Sequence, residues 1–374
     1  MSDQPVPTYW DYLKLNSLLG LQSGLEGDED QICPDELHFI VVHQVYELWF
    51  KMVLREVREA RKELASPKVP EEKLPHVVHH LRRVNQIFDL GLQQWKVMES
   101  LTPQDFLDFR DKLIPASGFQ SFQMRELEVV VGLEEAKRHS YGGTNTFDHI
   151  KNLAARSPAG AFAWGRIQKA LDEETLRSAV HKWLYRTPIH GSSPGDENDD
   201  AVVGGFIHDY VTAMEAYHQS QLARFEKVPA GPTDKMVERF KKSRDDAKRF
   251  LLAEEMEPDE QQRVRRIRVG LLFVESYRAL PLLAWPRTMV DCLVEFESQF
   301  VMFRYRHARM VERTIGRRMG TGGSSGVDYL DKTTEYRVFT ELWAVRTLLL
   351  PRAYLPELKN REFYGFANEN GRVG

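Results

Sequence analysis

The residue with the most chemical promise stands on the stripe Phe296, Phe300, Phe303, His307, Val311 and Thr314. Steps of three and four put one imidazole on an otherwise apolar face of a long helix. Such a histidine is either a core residue with a backbone partner or a ligand. A neutral ring nitrogen among phenyl rings is also what a haem-binding helix needs, because the macrocycle buries a large apolar face while its iron takes the nitrogen. Arg304, Arg306, Arg309, Arg313, Arg317 and Arg318 flank the stripe. They form a solvated face paired with Glu295, Glu297 and Glu312, or one or two of them meet an acidic ligand group such as a propionate.

Three further stretches could serve a site. In HFIVVHQVYELWFK, residues 38–51, Phe39, His43, Tyr46 or Glu47, and Phe50 share a face, with a phenyl ring one turn before an imidazole. In PASGFQSFQMRELE, residues 115–128, Arg125 either pairs with Glu128 or Asp105 or recognises a carboxylate in a dry pocket. The third is GTGGSSG, residues 320–326, which lacks the Gly-Lys pair of a P-loop and the leading strand of a dinucleotide fingerprint. Its glycines are expected to let backbone pass close to a ligand as a lid, with Thr321, Ser324 and Ser325 as small polar groups. His76, His79 and His80 have no HExxH-type carboxylate beside them and read as surface or loop-start residues.

The elements that must carry these residues are helical. Apolar residues recur at three and four positions and alternating β-branched runs are scarce, so the fold class is all-α. Helices are expected over 36–64 with Asp35 as cap, 72–98, from Pro103 behind the cap Thr102, 119–138, 173–185, 201–225, 233–253, 259–280 and 289–318. TPIHGSSPGDENDD, about 187–200, reads as an exposed loop inserted in one large domain covering 1–374. Lys and Arg number 51 against 55 Asp and Glu, a net charge of −4, which gives no general reason to expect nucleic acid or an anionic membrane as partner. The two cysteines, Cys33 and Cys292, lie far apart with no CxxC or CxxCH. That spacing excludes a sequence-evident zinc, iron–sulfur or covalent haem site and suits a reducing compartment. No secretory leader and no long uncharged apolar run is visible, and the expectation is a cytoplasmic protein.

Taken together, TYWDYLKLNSLLGLQ, FIVVHQVYELWFK, TPQDFLDFR, PASGFQSFQMRELE, RYRHARMVERTIG running into GTGGSSGVDYL, and FTELWAVRT resemble the tryptophan 2,3-dioxygenase family in spaced blocks over nearly the whole chain. The resemblance implies an all-α homotetramer with non-covalent haem b, active as ferrous haem, that opens the indole ring of L-tryptophan with O2 to give N-formylkynurenine. It implies His307 as proximal iron ligand, His43 beside the indole nitrogen, Phe39 against the ring, Arg125 on the carboxylate and Thr321 on the ammonium group. Tyr9, Tyr12 and Leu13 would complete the pocket of another subunit from an exchanged N-terminal arm of about residues 1–30. The chain departs from the family at Met124, where an aromatic residue is usual, and at Phe303, where tryptophan is expected. Both swaps keep an apolar side chain and bear on substrate preference. A relative acting on a substituted tryptophan or another indole, and a non-catalytic haem sensor, are the competing readings.

Overall fold

A computed structural model describes residues 6–140, 146–229, 231–322 and 326–365. Among them no strand forms, and the all-α expectation holds. The helices are α1 (Tyr9–Leu13), α2 (Leu15–Leu18), α3 (Pro34–Ala65), α4 (Leu74–Met98), α5 (Pro103–Arg110), α6 (Phe122–Val131), α7 (Thr146–Ala154) and α8 (Pro158–Leu171). They continue with α9 (Leu176–Tyr185), α10 (Asp199–Phe225), α11 (Asp234–Leu252), α12 (Pro258–Ser276), α13 (Ala284–Ile315), α14 (Val327–Thr333) and α15 (Thr340–Leu348).

The frame of the site is α4 packed between α3 and α13. Each is an amphipathic helix of 25 to 32 residues whose apolar stripe meets the others, and the interior is closed by Val57, Leu81 and Phe296. Buried side chains bond across the seams: Tyr46 Oη donates to Gly91 O at 2.8 Å, and Asn85 Nδ2 donates to Cys292 O at 3.0 Å. A buried polar atom left without such a partner would cost about 1–3 kcal/mol, so these bonds fix one register between the helices. Around this frame α6 packs on α3 and α8, and α9 on α3 and α12. Arg58 joins three of them by donating to Glu126 of α6 at 2.8 Å and to Glu173, just ahead of α9, at 3.0 Å.

Three expected bounds change for identifiable reasons. Pro34 occupies the first turn of α3 behind Cys33, so Asp35 lies inside the helix and favours its positive end by charge. The run 119–138 is one short helix, α6, and not a continuous one. Gly132 takes a φ of +104° at its C-terminus, and a Cβ there would come within 2.9 Å of Arg177 Cβ. That bend turns the chain back so that Arg138 meets Glu128. The segment 187–200 is exposed only near Gly195–Asn198, whereas Thr187, Ile189 and His190 are buried. Arg266 of α12 donates to Thr187 O and Ser192 O, both at 3.1 Å, and Tyr364 Oη donates to Pro188 O at 2.8 Å, so the polar loop is tied down by its carbonyls.

Candidate active site

One cavity collects side chains from across the fold, α5 and α14 included. Phe39, His43 and Tyr46 come from α3, Trp95 from α4, Met124 and Arg125 from α6, Phe303, Arg304 and His307 from α13, and Thr321 from the glycine loop. Its wall is mostly apolar and aromatic, and its charged groups are Glu47, Arg110, Arg125 and Arg304.

His307 is the imidazole of the α13 stripe. Burial pushes its pKa down to about 4, with the nearby His43 and Arg125 adding to the effect, so the ring is neutral at pH 7. Among the described residues nothing hydrogen-bonds to it. Trp95 lies flat against it, ring centres 5.0 Å apart and planes within 6°, which sets the plane of the imidazole.

Across the cavity wall, His43 Nδ1 is 2.8 Å from Phe39 O, one turn back on α3. A carbonyl oxygen only accepts, so Nδ1 carries the proton and Nε2 keeps a bare lone pair. Burial also lowers the His43 pKa. The group is a hydrogen-bond acceptor held against protonation, with the Phe39 ring 4.1 Å from its own.

Arg125 makes the expected ion pair with Glu128. It lines the cavity, and its Nη1 stands 3.1 Å from Glu128 Oε2, while Nε and Nη1 have no hydrogen-bond partner of good geometry. Glu128 is fully buried and is met as well by Arg138 at 2.5 Å and Arg304 at 3.0 Å. Burial alone would raise its pKa, but the guanidiniums of Arg125, Arg138 and Arg304 overcome this and hold it at about 2. Three cations against one carboxylate leave the cluster with two surplus positive charges beside an apolar cavity. Buried charge of that sign favours anionic ligand groups.

Thr321 Oγ1 donates to Ala116 O at 2.5 Å. With its proton committed there, the hydroxyl offers lone pairs to a donor in the cavity. Arg110 also reaches the loop, donating from Nη2 to Met319 O at 2.6 Å, so the stretch ahead of Thr321 is tied to the end of α5. Ser324 and Ser325 lie outside the described residues.

The profile of the family described as tryptophan 2,3-dioxygenase matches residues 2–349. The chain is 44% identical over 371 residues to a protein of Ralstonia nicotianae named tryptophan 2,3-dioxygenase 2, covering 97% of this chain and 98% of that one. It is 43% identical over 369 residues to a tryptophan 2,3-dioxygenase of Sorangium cellulosum, covering 97% and 88% respectively. A tryptophan 2,3-dioxygenase of the mosquito Aedes aegypti is 32% identical over 356 residues, covering 94% and 87%. The chain belongs to the tryptophan 2,3-dioxygenase family. It is therefore an oxidoreductase of the dioxygenase class, in a family that depends on haem.

The cavity of this tryptophan 2,3-dioxygenase family member suits a haem on its own chemistry. It offers in His307 a neutral imidazole with no hydrogen bond among the described residues, apolar walls for a macrocycle and surplus guanidinium charge for acidic substituents. Of the six arginines flanking the α13 stripe, Arg304 alone lines the cavity. Glu312 pairs as expected, with Arg309 and, at 3.9 Å, with Arg317, and the other pairings differ. Glu297 accepts from Val338 N, Phe339 N and Trp343 Nε1, and not from an arginine, while Arg309 pairs with Glu312 and Asp331 and Arg317 with Asp328.

Other expected residues fall differently. Tyr9, Tyr12 and Leu13 are 71%, 77% and 41% exposed on α1 and do not line this chain's cavity. His76 and His79 are exposed on the first turns of α4, in keeping with a surface role, and the half-buried His80 has its Nδ1 2.6 Å from Glu56 of α3. Met124 and Phe303, the two departures from the family, both line the cavity, and Phe303 stands edge-on to Tyr46 at 5.5 Å and 5.2 Å from Trp95. Trp95 was not singled out in the sequence, although Phe88, Leu92 and Trp95 share helical spacing on the α4 face that meets α13. The tie from Glu128 to Arg304, 176 residues apart, had no local signal.

Proposed function

We propose that this protein breaks the C2–C3 bond of the indole ring of L-tryptophan and inserts both atoms of O2, releasing N-formylkynurenine as the first step of tryptophan degradation through kynurenine. The observation that carries the reading is the convergence on one cavity of a neutral unbonded imidazole, His307, an acceptor imidazole, His43, and the pair Arg125 and Thr321. Ferrous haem b, held without a covalent link by His307, supplies the activation of O2 when bound.

The chain's own residues bind and orient. The indole lies against Phe39 and the apolar wall, and its N–H donates to the bare Nε2 of His43, which positions the ring without taking the proton. The carboxylate meets Arg125 and the ammonium donates to Thr321 Oγ1, so the amino acid tail is read at both ends. Apolar walls exclude water from the reacting bond. The exposed aromatic face of α1 supports an assembly, a homotetramer by family, in which Tyr9, Tyr12 and Leu13 close the cavity of another subunit. No described helix is long and apolar enough to cross a membrane, and a cytoplasmic location fits that and the two unpaired cysteines.

The test is direct. Purified haem-loaded protein is reduced, L-tryptophan is added in air, and N-formylkynurenine is followed by its absorbance beside a panel of substituted indoles. Product from L-tryptophan supports the reading; no product from any indole defeats it. Two variants grade the roles. His43→Ala removes one acceptor and is expected to lower kcat/KM by about tenfold, since one neutral hydrogen bond is at stake and not the reaction itself. A loss of many orders of magnitude would make His43 an obligatory base. Thr321→Ala is expected to lower kcat/KM for L-tryptophan by about tenfold while leaving indole-3-propionate, which lacks the ammonium, unaffected. Equal losses for both would remove Thr321 from tail recognition.

A further inference from the structure

We propose that Glu128 is a positioning residue: it fixes the guanidinium of Arg125 at the angle needed to receive a carboxylate, and ties that guanidinium to the helix carrying His307. The inference rests on the assignment of Arg125 as the carboxylate clamp.

Glu128 does not line the cavity and is fully buried. It stands one turn after Arg125 on α6, with Oε2 facing both Arg125 Nη1 at 3.1 Å and Arg138 Nη1 at 2.5 Å. Its Oε1 accepts from Arg304 Nη2 at 3.0 Å. Arg304 lies one turn before His307 on α13, so a single carboxylate joins the end of the site that would read the substrate tail to the end that presents the imidazole. The guanidinium faces are also packed, Arg125 on Phe119, Arg138 on Phe147 and Arg304 on Phe300 and Tyr336. Packing holds the planes. Among the described residues, Glu128 is the carboxylate that all three guanidiniums share.

The Arg125 contact is the loosest of the three. Its Nη1 reaches Glu128 as an ion pair without hydrogen-bond geometry, and among the described residues neither Nε nor Nη1 has a hydrogen-bond partner. A guanidinium anchored electrostatically, with N–H groups unspent, is arranged to give them to a second carboxylate. Two effects oppose each other when Glu128 loses its charge. The surplus on the cluster rises from two to three, which attracts any anion more strongly. Against this, three buried guanidiniums lose their shared counter-ion and separate, and a two-point contact depends on angle more than on net charge. The proposal is that orientation wins.

Affinity for L-tryptophan and for tryptamine, which lacks only the carboxylate, tests this by calorimetry on reduced holoprotein without oxygen. Glu128→Gln is expected to weaken L-tryptophan by about tenfold and tryptamine by less than about twofold, so that the preference collapses. Glu128→Asp keeps the charge but shortens the reach, and an intermediate loss of preference is expected; if the glutamine variant does not fold, this variant decides. Equal weakening of both ligands would mean a general structural role and would overturn the proposal, as would unchanged or tighter L-tryptophan binding. Arg125→Met is measured beside them. If it keeps the parent's preference, the clamp assignment itself has failed; if it loses the preference while both Glu128 variants keep it, only the role of Glu128 falls.

Discussion

His307→Ala is expected to yield a folded, helical protein that retains almost no haem. Among the described residues His307 is the one imidazole of the cavity wall with no hydrogen bond at either nitrogen, and Trp95 stacks on its face. Its loss leaves a hole beside Trp95 and Phe303 whose stability cost is about 1–3 kcal/mol, which a helix packed along its whole length can absorb. The variant should therefore keep its far-ultraviolet circular dichroism and lose the Soret band. Added imidazole, small enough to enter the vacated space, should restore part of it. Haem content equal to the parent's would remove His307 as the ligand.

Arg125→Met should reduce kcat/KM for L-tryptophan by about a hundredfold or more, the scale expected when a charged two-point contact in a dry pocket is lost. The long apolar replacement keeps the packing against Phe119, and the cluster is left with Arg138 and Arg304 around an ionised Glu128, still net positive. Folding should survive for that reason. Tryptamine, which offers no carboxylate, should be turned over by the variant as by the parent. If L-tryptophan and tryptamine decline together, the guanidinium serves the architecture of the cavity and not recognition of the tail.

What could be read from the sequence follows the range of each interaction. The His307 stripe and the Phe39–His43 face each lie on one helix, where spacing alone puts side chains on a common side, and both do line the cavity. For Arg125 the spacing allowed an ion pair or a ligand contact. The fold gives the ion pair with Glu128 and also places Arg125 on the cavity wall, which no local pattern contains. Trp95 against His307 and Glu128 against Arg304 depend on how α4 and α6 meet α13, hundreds of residues apart in part, and stayed hidden. Helix α8 has only Ile167 and Ala170 buried and so a weak apolar stripe, yet Ser157 ahead of Pro158 is an ordinary start signal and its hydroxyl does accept from Gly160 N. The composition of the polar stretch after Thr187 points to exposure, and it is the buried Arg266, satisfying its carbonyls, that makes burial possible.

The central claim is that this cavity directs both atoms of O2 into the indole ring of L-tryptophan. Reduced holoprotein given L-tryptophan under 18O2 in ordinary water, with the product examined at once by mass spectrometry, tests it. N-formylkynurenine carrying two labelled oxygens, one on the ring-derived ketone and one on the formyl group, is the expected result. A product with one labelled oxygen, or an oxidised indole whose ring is still closed, would contradict the account.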